Sequence, residues 1–193
     1  MTARKESLIH AHCDGVDYTF VKANRISYAW FGGPLDHEVT GLKHGPRKLH
    51  SIGYLGARAI PALGGPTVLG LPLVYGMCFD GCDITYRLSG FRKIEVLGMS
   101  QRQSLEDWPY AGFPDLLPYV PLERAAATPR SYADFAKRFP NLPDRPEGQL
   151  IVCVPPPATI GLSLWGEGDL EGVTIVFDCD LTTATVHAYN VTT

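Results

Sequence analysis

Residues 73–98 read LVYGMCFDGCDITYRLSGFRKIEVLG, and this stretch decides the expected fold. LVYGM and CDITYRL are rich in β-formers and flank Asp80-Gly81, a dipeptide that suits the left-handed backbone of a tight hairpin turn. After Ser89-Gly90, Ile94 and Val96 alternate with Lys93 and Glu95, the period of a half-buried strand. Three runs in series predict an antiparallel meander.

Downstream, QLIVCV, VTIVFD and TATVHAY read as further strands. Upstream, DYTFVKAN and RISYAWF read as short strands around a turn at Asn24. The polar stretch DHEVTGLKHGPRKLH reads as loop, and IPALGGPTVLGLP holds too much Gly and Pro for a helix. EDWPYAGFPDLLPYVPLE carries Pro109, Pro114, Pro118 and Pro121 and reads as an extended segment whose aromatic rings, Trp108, Tyr110, Phe113 and Tyr119, pack over the sheet. One helix is expected at about 131–139. Ser131 is placed to cap it three residues before Asp134, and Pro140 ends it. The expected class is α+β, predominantly antiparallel sheet with one clear helix and long Pro/Gly-rich connections. The 193 residues fit a single globular domain, 1–193.

Bulk properties narrow the function. The balance of 45% hydrophobic and 19% charged residues is that of a folded domain. No apolar run approaches the ~18 residues of a membrane span, and the first twenty residues lack the ~7–15-residue apolar stretch of an export signal. Five cysteines, an odd number, argue against a disulfide framework. A cytoplasmic protein without membrane partners is expected.

No motif for a cofactor is found. Gly64-Gly65-Pro66 and Gly32-Gly33-Pro34 end in proline, which removes an N–H that a phosphate cradle needs. Ser163 lacks the closing glycine of a nucleophile elbow. A zinc site would need Cys78 and Cys82 to be joined by His10, His12 or Cys13 across the fold, so no metal is assigned. No catalytic residue is assigned either. His187 reads as an ordinary strand histidine.

The charge layout is uneven. All 17 Lys and Arg lie at or before Arg145, so residues 1–145 carry 17 − 14 = +3 and residues 146–193 carry 0 − 6 = −6. Glu167, Asp169, Glu171, Asp178 and Asp180, with Trp165 as an aromatic anchor, form the candidate partner-binding set, because carboxylates around a large ring suit a basic protein surface. The net charge of −3 and the absence of a basic stripe argue against nucleic acid. The expected function is therefore protein binding, most concretely an immunity protein (antitoxin) holding a basic bacterial toxin. Two alternatives stand beside it: a hydrolase with a site that sequence order hides, and a small-molecule or peptide binding module lined by Trp108 to Tyr119.

Overall fold

A computed structural model describes residues 6–42, 49–64, 70–77, 82–101, 116–144, 149–157 and 173–192. The strands are β1 (Ser7–Cys13), β2 (Val16–Lys22), β3 (Ala29–Phe31), β4 (Glu38–Thr40), β5 (His50–Gly56), β6 (Gly70–Tyr75), β7 (Cys82–Gly90), β8 (Lys93–Gln101), β9 (Val120–Pro129), β10 (Leu150–Val154), β11 (Val173–Asp180) and β12 (Thr185–Thr192). A 3-10 turn spans Pro61–Gly64, and one short helix, α1, spans Tyr132–Ala136. The strands form one sheet in the order β4-β8-β7-β12-β11-β10-β1-β2-β9-β3-β5-β6. Every pairing is antiparallel except β4 with β8. The α+β class, predominantly antiparallel sheet with a single helix, is what the sequence predicts.

The period-2 alternation of each strand sorts its side chains onto two faces. Ile9, Ala11 and Cys13 of β1, Tyr18 and Phe20 of β2, Ile84 and Tyr86 of β7, Ile175 and Phe177 of β11, and Val186 and Ala188 of β12 all enter one large core. Enclosing that core requires the sheet to fold back on itself. Tyr86 hydrogen-bonds to β6, the last strand, and Tyr75 on β6 reaches Asn190 on β12 at 3.0 Å. A second, smaller core lies on the opposite face, where Phe135 and Phe139 cover Ile151, Cys153, Val176 and Val191. Burying two Phe side chains there contributes roughly 1.5–3 kcal/mol each and fixes α1 to the sheet.

Four features differ from the sequence reading. LVYGM and CDITYRL are not hairpin partners: β6 pairs with β5, while β7 lies between β8 and β12. Residues 78–81, including Asp80-Gly81, are outside the described residues. The strands on either side of Asn24 are present but not adjacent, because β9 runs between β2 and β3. The Pro-rich segment does not simply lie over the sheet. Its end, from Val120, is a strand inside it, whereas residues 102–115 are outside the described residues. The polar stretch 36–50 likewise contains β4 and the first residue of β5.

Ser131 caps α1 as expected. Its side-chain oxygen accepts from the Asp134 amide at 3.2 Å and its hydroxyl donates to the Asp134 carboxylate at 3.1 Å. Arg138, which follows the helix, is turned back toward the sheet, where it meets Asp17.

Candidate functional site

The outer face of the sheet, the one that carries α1, holds two polar groups of residues. Cross-strand register aligns them in one row: Asp17 opposite His12, His12 opposite Ile151, Ile151 opposite Asp178, Asp178 opposite His187, and His187 opposite Thr85.

At the β2 end of this row, Asp17 is buried and accepts three donors. His12 Nδ1 lies 2.7 Å from its Oδ1, and Arg130 Nε and Arg138 meet its Oδ2 at 3.1 and 3.3 Å. Arg138 also donates to His10 Nδ1 at 2.6 Å. A guanidinium cannot accept, so His10 Nδ1 must be an unprotonated acceptor. Burial first, and the neighbouring Arg138 charge second, lower the His10 pKa to about 4. The rings of Phe139 and Phe135 lie 5.3 Å from His10 and His12 respectively, closing the cluster from above. A histidine oriented by a carboxylate has the form of an acid/base pair. Here the carboxylate is shared with two arginines and the imidazole is covered by aromatic rings. Chemically the group is a polar clamp that holds α1 to β1 and β2.

The other end of the row is acidic. Asp178 and Asp180 of β11 point to the same outer face as Val176, and both are half-exposed. Asp83 of β7 lies 3.4 Å from the exposed His187. Asp180 also closes the β11–β12 turn. Its Oδ1 accepts from the Thr182 amide and hydroxyl at 2.8 and 2.6 Å, and its Oδ2 accepts from the Thr183 hydroxyl at 2.8 Å. Those bonds, the Thr182 hydroxyl foremost, hold its carboxyl pKa at about 2, so it stays ionised at any ordinary pH. Arg87 faces the same side but donates to Glu95 at 2.6 Å, so its charge is already matched. Of the six expected partner-binding residues, Asp178 and Asp180 share this face, whereas Trp165, Glu167, Asp169 and Glu171 lie outside the described residues.

No family model, curated protein or solved structure matches this chain. Function therefore has to be read from these residues.

Among the described residues, no group of three or more His, Cys, Asp or Glu is arranged to hold a metal. The strand explains why His10, His12 and Cys13 do not converge: the two histidines take the outer face and Cys13 takes the core. Cys13, Cys82, Cys153 and Cys179 are all buried, and no disulfide joins them. Burial, with Asp14 nearby, pushes the Cys13 thiol up to about 12, which suppresses the nucleophilic thiolate. Among the described residues, no helix is long and apolar enough to cross a membrane. The clamp of Asp17, Arg130 and Arg138 escapes a reading by sequence order, since Arg138 is 121 residues from Asp17. The local signal was His-x-His in β1, which places both rings on one face.

Proposed function

We propose that this chain is a protein-binding domain that presents an acidic outer face to a basic protein, most concretely as an immunity protein neutralising a bacterial toxin by direct contact. The single observation that supports this reading is the sharing of one solvent face by Asp83, Asp178 and Asp180 across the neighbouring strands β7, β12 and β11. Among the described residues no Lys or Arg forms an ion pair with Asp180, and Arg87, which faces the same side from β7, is bonded to Glu95. A carboxylate field of this kind accelerates encounter with a cationic surface and repels polyanions.

The test is affinity capture from the native host with the wild-type chain and with the triple variant Asp83→Asn, Asp178→Asn, Asp180→Asn. The amide at 180 still offers an oxygen to Thr182 and Thr183, so the turn is retained. A basic protein held by the wild type, weakened by added salt and lost by the triple variant is the expected result. Retention that ignores both salt and the three substitutions would discard the proposal.

A further inference from the structure

Arg138 is the point at which α1 is fastened to the sheet. Its guanidinium carbon lies 5.7 Å from the centre of the Phe135 ring and 5.5 Å from that of Phe139, so both rings of the small outer core rest against it. Toward the sheet it divides its nitrogens. Nη1 donates to Asp17 at 3.3 Å and Nη2 donates to His10 Nδ1 at 2.6 Å. A helix of five residues is too short to hold its shape alone in water, so the order of α1 depends on these contacts.

The bond to His10 is sensitive to one proton. A neutral imidazole has a single acceptor nitrogen, and Arg138 occupies it. Neutral His10 therefore carries its hydrogen on Nε2, and a second proton lands on Nδ1, the atom that holds Arg138. The acceptor is then lost and two cations are left in contact. The charged and titratable groups around His10 are Arg138, His12 two residues along β1, Cys153 opposite it on β10, and Asp17, which Arg138 shares with Arg130 and His12. On its other side β2 sets the uncharged Thr19. Among the described residues no carboxylate bonds to His10 to offset the added charge. Burial, and Arg138 after it, lower its pKa to about 4, so the bond is intact at neutral pH.

What α1 covers gives its opening a signature. Cys153 is fully buried beneath Phe135 and Phe139, whereas Cys13, Cys82 and Cys179 lie in the large core on the other face of the sheet.

We propose that α1 is an acid-released latch: a proton on His10 frees Arg138 and shifts α1 to an open form that bares Ile151, Cys153, Val176 and Val191 while the strands stay paired. At neutral pH the latch is closed, and Cys153 waits for unfolding like the other three cysteines. The device does not depend on the acidic face above.

The test is labelling of the native full chain with 4,4′-dithiodipyridine, a disulfide that reacts with thiols in acid as well as at neutral pH. Rates are read by peptide mapping from about pH 7 to about pH 3.5 and divided by the rate of a free cysteine peptide at each pH. Two pH units below the ordinary histidine value, the gain at Cys153 is limited to about 100-fold. His10 is half-exposed, so screening leaves roughly tenfold. Cys13, Cys82 and Cys179 should stay protected. His10→Gln, whose amide oxygen still accepts from Arg138 but takes up no proton, should lose the acid step. In the wild type the labelling rate should level off at the pH where the His10 ring titrates by NMR, a check that needs no variant. Reaction of all four cysteines together in acid, or one Cys153 rate at every pH, would overturn the proposal. So would an acid step retained by His10→Gln, or a plateau more than about one pH unit from the His10 titration.

Discussion

The Tyr86 hydroxyl on β7 donates to the Pro72 carbonyl on β6 at 2.6 Å, and its oxygen accepts from the Val74 amide at 3.3 Å. These are a carbonyl and an amide two residues apart, of the kind a neighbouring strand would engage. One phenol thus stands in for a thirteenth strand and joins the last strand of the sheet to its opposite half. Burial raises its pKa well above the usual tyrosine value, so the donor is retained at high pH. Tyr86→Phe keeps the ring and leaves both backbone groups buried without this partner. The expected loss is about 1–3 kcal/mol in urea unfolding, with faster hydrogen exchange at the Val74 amide. Unchanged exchange at Val74 would show that β6 is held by other contacts.

Asp17 gathers three donors from three segments: His12 on β1, Arg130 ahead of α1 and Arg138 after it. Asp17→Asn removes the charge that both arginines share while preserving shape. Both guanidinium groups are about a third exposed, at 38% and 33%, so water screens them and the loss falls below that of a fully buried pair. About 2 kcal/mol of destabilisation is expected. Limited proteolysis should then cut near α1 first. A variant as stable as the parent, with α1 equally protected, would mean that Phe135 and Phe139 dock the helix unaided.

The His10 environment sets a pH dependence with a definite sign. In the unfolded chain His10 takes up its proton near pH 6.5, whereas in the fold it resists until about pH 4. Between those values the unfolded state binds more protons, so stability is full above about 6.5 and falls as the pH drops toward 4. The groups facing the ring are Arg138, Phe139 and, through Arg138, Asp17. Because His10 is half-exposed, the effect is on the order of 1–2 kcal/mol after screening. His10→Gln keeps an acceptor for Arg138 and should flatten the stability profile between pH 6.5 and 4. A parallel profile in the variant would assign that dependence to another group.

Particular residues explain what the sequence made legible. QLIVCV and VTIVFD are strands because Val and Ile alternate across two buried faces, a property local to each run. α1 is legible because Ser131 and Asp134 form its cap within four residues. The chain holds two Asp-Gly dipeptides. The one at 14–15 makes the tight turn, with Asp14 and Gly15 at φ 49° and 71° and Cys13 opposite Val16, although His10, His12 and Asp17 interrupt the apolar pattern on either side of it. β9 was hidden because Pro121, Pro129 and an alanine run disfavour strands; pairing with β2 along its length overrides that preference. The site was half legible. Asp178 and Asp180 share a face because they are two apart in one strand, whereas Asp83 joins them only through the β12–β7 register, which no local pattern encodes.

The four described cysteines offer a direct check on catalysis by a thiol. Cys13, Cys82, Cys153 and Cys179 are each at most 2% exposed. With its pKa at about 12, the Cys13 thiol is ionised to about one part in ten thousand at pH 8. A nucleophilic cysteine needs the opposite setting: partial exposure and a neighbouring cation or histidine that lowers the pKa. Here β1 turns Cys13 into the core and sends His10 and His12 to the other face, so the strand itself separates thiol from imidazole. These four thiols should therefore react with a disulfide reagent only at the rate of unfolding, and all at once in denaturant. Peptide mapping distinguishes them from Cys78. Rapid labelling of Cys13 in the native chain, abolished by His12→Gln, would restore a Cys–His hydrolase as a serious reading.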